Sequence, residues 1–213
     1  MTHLTIAVDR VVPDAYAAAP ALVAKLRLAE STGAAVRAVA VRCQVRIEPQ
    51  RRSYTADEEP GLIDLFGARE RWSTTIHPFL WMHTSSVLPG FRGSCEADLP
   101  MPCTYDFEVV GSKYLHALAG GAVPLLFLFS GTVFTDGGNG FQVAPVPWDL
   151  EFRYSMPVAV WRESIDRHFP GAGWLRLDHE VIRRLSDYRS AHGLTSWDET
   201  LTRLLTVDAG APR

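Results

Sequence analysis

Long runs of any one kind are missing from this sequence, and each gap removes a class of function. No stretch of like charge exceeds Asp57-Glu58-Glu59, the formal charge is -3, and the arginines are scattered. A nucleic-acid partner calls for a basic face, so none is expected. The longest apolar stretch, Ala122 to Phe134, has 13 residues and is interrupted by Pro124 and Gly131. Crossing a bilayer takes about 20 residues, so this stretch reads as core and no membrane insertion is expected. Cysteine is scarce, with Cys43, Cys95 and Cys103 alone, an odd number. A chain of this length buries roughly 70% of its unfolded surface without staples. No charged and apolar leader precedes Leu4, and with so few thiols a reducing, cytoplasmic setting is the expectation.

Signatures of catalysis and metal binding are missing too. There is no CxxC, HxxxH or HExxH; Cys95 and Cys103 stand eight apart, with His77, His83 and His116 in neighbouring segments. A zinc site needs four compact N or S ligands, and these spacings offer none. Ser130, in Phe129-Ser130-Gly131-Thr132, lies inside an apolar strand without the flanking glycine of a nucleophile elbow. Gly137-Gly138-Asn139-Gly140 leads into a returning strand, where phosphate binding needs a helix N-terminus. Asp106 and Glu108 alternate onto one strand face, which solvent exposure explains as well as chemistry does. No catalytic, cofactor or metal residue is assigned.

What is present is alternation. Leu4, Ile6 and Val8 share a face, as do Leu22, Ala24, Leu26 and Leu28, and Val39, Val41, Cys43, Val45 and Ile47. With Ser31-Thr32-Gly33 between them, the second and third runs read as an antiparallel hairpin of residues 22–29 and 39–48. Asp57-Glu58-Glu59 ahead of Pro60 predicts a short helix with Leu62, Ile63 and Phe66 on one face, ended by Gly67. Weaker strands follow at 76–82 and 94–99, separated by Pro89-Gly90, and Tyr105, Phe107 and Val109 alternate again. Ser112 is a candidate N-cap for a helix carrying Tyr114, Leu115 and Leu118, closed by Gly120-Gly121. Leu125 to Phe129 is apolar on both faces, the centre of a second hairpin over 123–152 whose return is bent by Pro145 and Pro147.

After Pro157 the period becomes helical: Val158, Val160, Trp161 and Ile165 could form one face. Asp178 caps Val181, Ile182, Leu185 and Tyr188, and Ser196 with Glu199 forms a capping box before a buried stripe of Trp197, Leu201, Leu204 and Leu205. The expected fold is α+β: an antiparallel β-sheet or β-sandwich with short inserted helices and a helical C-terminal end. A single domain over 1–207 is expected, β-rich over 1–156 and helical over 157–207, with 208–213 frayed.

Three tryptophans beside charges, Arg71-Trp72, Trp148-Asp149 and Trp161-Arg162, have the composition of interface anchors. Arg71, Trp72, Trp148 and Asp149 are the candidate partner surface, since both pairs stand where regular structure ends. Several longer phrases point further: Arg42-Cys43-Gln44-Val45-Arg46-Ile47-Glu48-Pro49, Leu65-Phe66-Gly67 with Arg71-Trp72, and Pro124 through Gly131. Val146-Pro147-Trp148-Asp149 and Pro157-Val158-Ala159-Val160-Trp161 complete the set. On these the chain resembles, over nearly its whole length, an uncharacterised bacterial family of unknown function, often encoded beside uptake nickel-iron hydrogenases. Tyr114 to Phe134 is also similar, locally, to the helix, glycine, proline and alternating-leucine segment of SecB-like export chaperones. The first resemblance implies a hydrogenase-associated accessory role and assigns no catalytic residues. The expectation is a non-catalytic accessory or chaperone-like protein whose partner is another protein, such as a hydrogenase subunit or maturation factor. A homo-oligomer stays open, and the alternative is a small hydrolase-like enzyme whose site forms only in the fold.

Overall fold

A computed structural model describes residues 3–103, 108–137, 140–171 and 177–209. The chain forms two compact units, Met1–Gly171 and Ala172–Arg213. In the first, two antiparallel sheets enclose the core. The smaller holds β1 (Leu4–Pro13), β2 (Ala21–Glu30) and β5 (Ser94–Pro102), in the order β1-β2-β5. The larger runs β4 (Phe79–Phe91), β3 (Val36–Ile47), β6 (Ala122–Gly137) and β7 (Gly140–Pro145), with β8 (Glu151–Pro157) also on β6. The sheets meet along two seams, β4 beside β5 and β8 beside β1. This is the expected α+β class.

The alternation in the sequence sets which face is buried. Leu22, Ala24, Leu26 and Leu28 of β2 and Val39, Val41, Cys43, Val45 and Ile47 of β3 point into the shared core. In β1 the buried set runs Leu4, Ile6, Val8, then Val11, because a bulge between Val8 and Arg10 shifts the register by one residue. Cys43 and Val45 are buried while Arg42 and Gln44 are exposed and Arg46 is half-buried.

Pairing departs from the expectation. Residues 22–29 and 39–48 do not pair with each other: β2 lies between β1 and β5, and β3 between β4 and β6. Alternation reports a strand's buried face and carries no information about its neighbour. The connection between them steps from one sheet to the other instead, and Glu30 holds the step. Its carboxylate accepts from the amides of His3, Thr32 and Ala34 and from the Thr32 hydroxyl.

Other boundaries also move. Strand β4 continues through Pro89-Gly90, because Pro89 pairs with Ala38 on the side of a strand that borders its sheet; the turn falls at Arg92-Gly93. Helix α1 (Glu59–Phe66) forms after Glu58 with Pro60 in its first turn and stops at Gly67, but only Leu62 and Phe66 are buried and Ile63 is exposed. The short helix α2 (Trp72–Thr75) follows a 3-10 turn at Arg69–Arg71. Helix α3 (Glu108–Ala117) begins before Ser112, which is therefore an interior residue and not a cap. Val109 is thus helical, and Tyr105 and Phe107 lie outside the described residues, as does Asp106. Tyr114, Leu115 and Leu118 are fully buried as expected. Strand β6 is covered fully on one face and in part on the other, where Leu126 is buried and Leu128 half-buried. The split return is as the prolines predict: β7 pairs with the second half of β6 and β8 with the first.

Helix α4 (Val158–His168) completes this unit, burying Val158, Trp161 and Ser164, while Val160 and Ile165 are partly covered. The second unit is a pair of helices, α5 (His179–Ala191) and α6 (Trp197–Ala209). The Asp178 carboxylate accepts from the Glu180 amide, and Ser196 and Glu199 exchange the two bonds of a capping box. The stripe expected to be buried is not. Trp197, Leu201 and Leu205 are exposed, Leu204 is half-buried, and Thr200 is the fully covered residue between them. Within this unit each helix faces one other helix, which covers less than the full width of such a stripe. Asp208 and Ala209, expected to fray, are helical; residues 210–213 lie outside the described set.

Candidate binding surface

The outer face of the larger sheet, read row by row across the strands, divides in two. At one end Pro89, Ala38, Phe134 and Val143 stand side by side, and the next row is Val87, Ala40, Thr132 and Pro145. Phe141 stands one row beyond the first, opposite Asp136. Val87 and Phe141 are each 74% exposed and Val143 is 65% exposed. The Arg37–Asp136 ion pair, 2.6 Å, borders this apolar end. The outer backbone of β7 pairs with no strand among the described residues, and Pro145 at its end removes a donor.

Further along the same strands the face turns polar. Arg42 stands between Ser85 and Ser130, and Gln44 between His83 and Leu128. These five polar residues line one open cavity of about 830 Å³, together with the Pro100-Met101-Pro102 end of β5. The side chains of Arg42, Gln44, His83 and Ser85 make no hydrogen bond or ion pair with any described residue. Ser130 donates to the Arg42 carbonyl at 3.5 Å, the satisfied hydroxyl its sequence context suggests. Among the described residues no three His, Cys, Asp or Glu side chains gather as ligands for one ion. Burial pushes the Cys43 thiol up to about 12, which makes it an inert core residue.

The four residues singled out in the sequence part company here. Trp72 is 8% exposed and its indole N–H donates to the Gly67 carbonyl at 2.8 Å. Its ring packs edge-on against Tyr54 and Phe66, and the Arg69 guanidinium lies over it. Trp72 is therefore core, leaving Arg71 exposed beside it. Trp148 is 94% exposed and Asp149 is exposed, in the proline-bounded connection from β7 to β8. One pair thus adjoins the apolar end of the sheet along the chain, and the other sits on a different element. Trp161-Arg162 is also structural: Trp161 is buried against His116, and Arg162 donates to the Leu118 carbonyl.

A polar cluster near Trp72 serves the fold. Arg52 and Glu58 form a buried ion pair of 2.8 Å; Glu58 also accepts from the amides of Thr55 and Ala119, and Arg52 reaches the carbonyls of Gly120 and Ala122. Burial opposes the Glu58 charge, yet those amides and the guanidinium hold its pKa below the ordinary value. The Tyr54 and Tyr114 hydroxyls meet at 2.9 Å, and burial pushes Tyr54 up to about 12.

A family model, the family of unknown function DUF6084, matches residues 1–212. The chain belongs to this family. A search of curated proteins gives no significant match. Similar solved structures include a β-glucosidase from Kluyveromyces marxianus, at 8% identity and TM-score 0.25, covering 73% of this chain and 15% of that one. Another is β-glucosidase 3B from Thermotoga neapolitana with α-D-glucose, at 12% identity and TM-score 0.26, covering 72% and 17%. The DUF6084 chain thus spans under a fifth of either enzyme, and TM-scores this low carry no argument about its fold or activity. Among the described residues no helix is long and apolar enough to cross a membrane.

Sequence reasoning missed Val87, Phe141 and Val143. Each sits in a strand as an ordinary apolar residue, and only the register across four strands brings them together. One signal was legible in β7: Phe141 and Val143 alternate with Gln142 between prolines and glycines, the pattern of a strand beside solvent.

Proposed function

We propose that this protein is a non-catalytic accessory protein that binds a partner polypeptide across the apolar end of its outer sheet face. The observation that carries this reading is the pair of adjacent rows holding Val87, Val143 and Phe134, with Phe141 beyond them, three of the four largely exposed. Contiguous exposed apolar surface of this kind marks protein contact sites far more often than chance placement of single residues. Trp148, next along the chain from β7, is the aromatic anchor best placed to extend it. The sequence resemblance makes a hydrogenase subunit or maturation factor the first partner to try, in a cytoplasmic setting.

The test is affinity purification from the native host with the wild type and with a Phe141→Ser/Val143→Ser variant, each checked for an unchanged melt. A partner held by the wild type and lost by the variant supports the reading. Equal recovery of the same partner would remove this face from it, and release by Trp148→Ala alone would confine the contact to the β7–β8 connection.

A further inference from the structure

Resting on the reading above, we propose that the partner segment is acidic: it presents carboxylates to Arg42 and His83 beside the apolar side chains it lays over Val143 and Val87. The argument is charge complementarity along one sheet face. Four polar side chains, Arg42, Gln44, His83 and Ser85, stand in adjacent rows with no bond to any described residue. Two arginines elsewhere on this sheet are matched, Arg37 with Asp136 and Arg153 with Glu48 and Glu151, whereas Arg46, half-buried on the same face of β3, forms no ion pair with any described residue. Arg42 has no such partner, so its row offers a full guanidinium whose fork fits a carboxylate with two parallel hydrogen bonds. The open cavity that these residues share with Asp14, Ala21, Leu22, Cys43, Thr84 and Pro100 to Pro102 holds about 830 Å³, room for side chains and not merely for water. Asp14 is the one carboxylate among its lining residues, and it already accepts from the Tyr16 amide.

The same face sets the spacing. Arg42 is four residues along β3 from Ala38, about 13 Å in an extended strand. A partner that buries an apolar side chain on the Phe134–Val143 row therefore reaches Arg42 with a residue four positions on if extended, the intervening apolar position falling on the Val87 row. Apolar residues followed by acids at alternate positions are the pattern that fits.

Fluorescence anisotropy with a short labelled peptide, two leucines then two aspartates at alternate positions separated by threonines, tests this against the same peptide with asparagine for aspartate. The acidic peptide should bind about tenfold more tightly, the size of one charge-assisted hydrogen bond. Arg42→Ala should erase that preference while leaving the asparagine peptide's affinity unchanged, and added salt should narrow the gap in the wild type. Val143→Ser should weaken both peptides alike. If both peptides bind the wild type equally, the acidic partner is wrong and the apolar site stands. If neither binds, polypeptide binding at this face fails, and the charge proposal with it.

Discussion

Glu30 is 3% exposed, yet no cation among the described residues pairs with it: its hydrogen bonds come from three amides and one hydroxyl. The Thr32 hydroxyl first, then the His3, Thr32 and Ala34 amides against the cost of burial, lower its pKa from 4.5 to about 2. A carboxyl lowered on folding stabilises fully above its unfolded value, and that contribution fades as pH falls toward the folded value. The wild-type melting temperature should therefore decline between pH 4.5 and pH 2. Glu30→Gln should melt lower at neutral pH and lose less over that window; identical pH slopes would show that the carboxylate does not hold the crossing between sheets. Of the three tryptophans flagged by composition, Trp72 and Trp161 are buried and Trp148 is exposed. Trp72→Ala should cost about 3–5 kcal/mol of stability, a core truncation, whereas Trp148→Ala should leave the melt within about 0.5 kcal/mol. Equal losses in the two melts would contradict their placement. Composition gave both residues the same weight, and nothing local distinguishes Arg71-Trp72 from Trp148-Asp149. What does is the Gly67 carbonyl that the Trp72 indole finds once α1 and α2 fold together.

Elements whose signals are local were legible. The capping box at Ser196 and Glu199, the Asp178 cap, Pro60 at the start of α1 and the proline-split return of β7 and β8 each follow from neighbouring residues alone. Pairing was not, because β2 and β3 carry the same alternation and either could sit beside the other. The difference lies in distant strands, β5 and β6, that compete for the same edges. Helix α3 shows the same limit, its first turn hidden because Val109 fits a strand period as well as a helical one. The Arg52–Glu58 pair joins the segment before α1 to the end of α3 and the start of β6, linking three parts of the fold no sequence window contains. Glu58→Ala leaves the Arg52 guanidinium buried and uncompensated, which should cost about 3–5 kcal/mol. Denaturant melts of Glu58→Ala and of an Arg52→Met/Glu58→Leu double variant read this out. The double variant should recover much of the loss, and a single variant as stable as wild type would mean the pair is solvated.

On the scale of the molecule, the larger sheet turns one face to the core and leaves much of the other uncovered, apolar at one end and rich in free donors at the other. A face kept only for stability would follow the usual alternation and set polar residues against water. Here Val87, Phe141 and Val143 break that rule together, and local departures of this sort tend to fall at functional sites. The charge pattern agrees, since the apolar rows end at a satisfied ion pair on one side and at unsatisfied Arg42 on the other. If these three residues serve contact and not folding, replacing them should cost little. A Val87→Ser/Phe141→Ser/Val143→Ser variant should melt within a few degrees of the wild type, since exposed substitutions usually stay within about 0.5 kcal/mol each. It should also bind less of an apolar dye such as ANS in the folded state and resist aggregation at higher concentration. β-propensity argues mildly the other way, because serine suits strands less well than valine or phenylalanine; threonine at the same positions separates that effect from the loss of apolar surface. Should the threonine variant unfold as readily as the serine one, the rows are part of the stability of the sheet, and the contact must be sought at Trp148 and the helical pair.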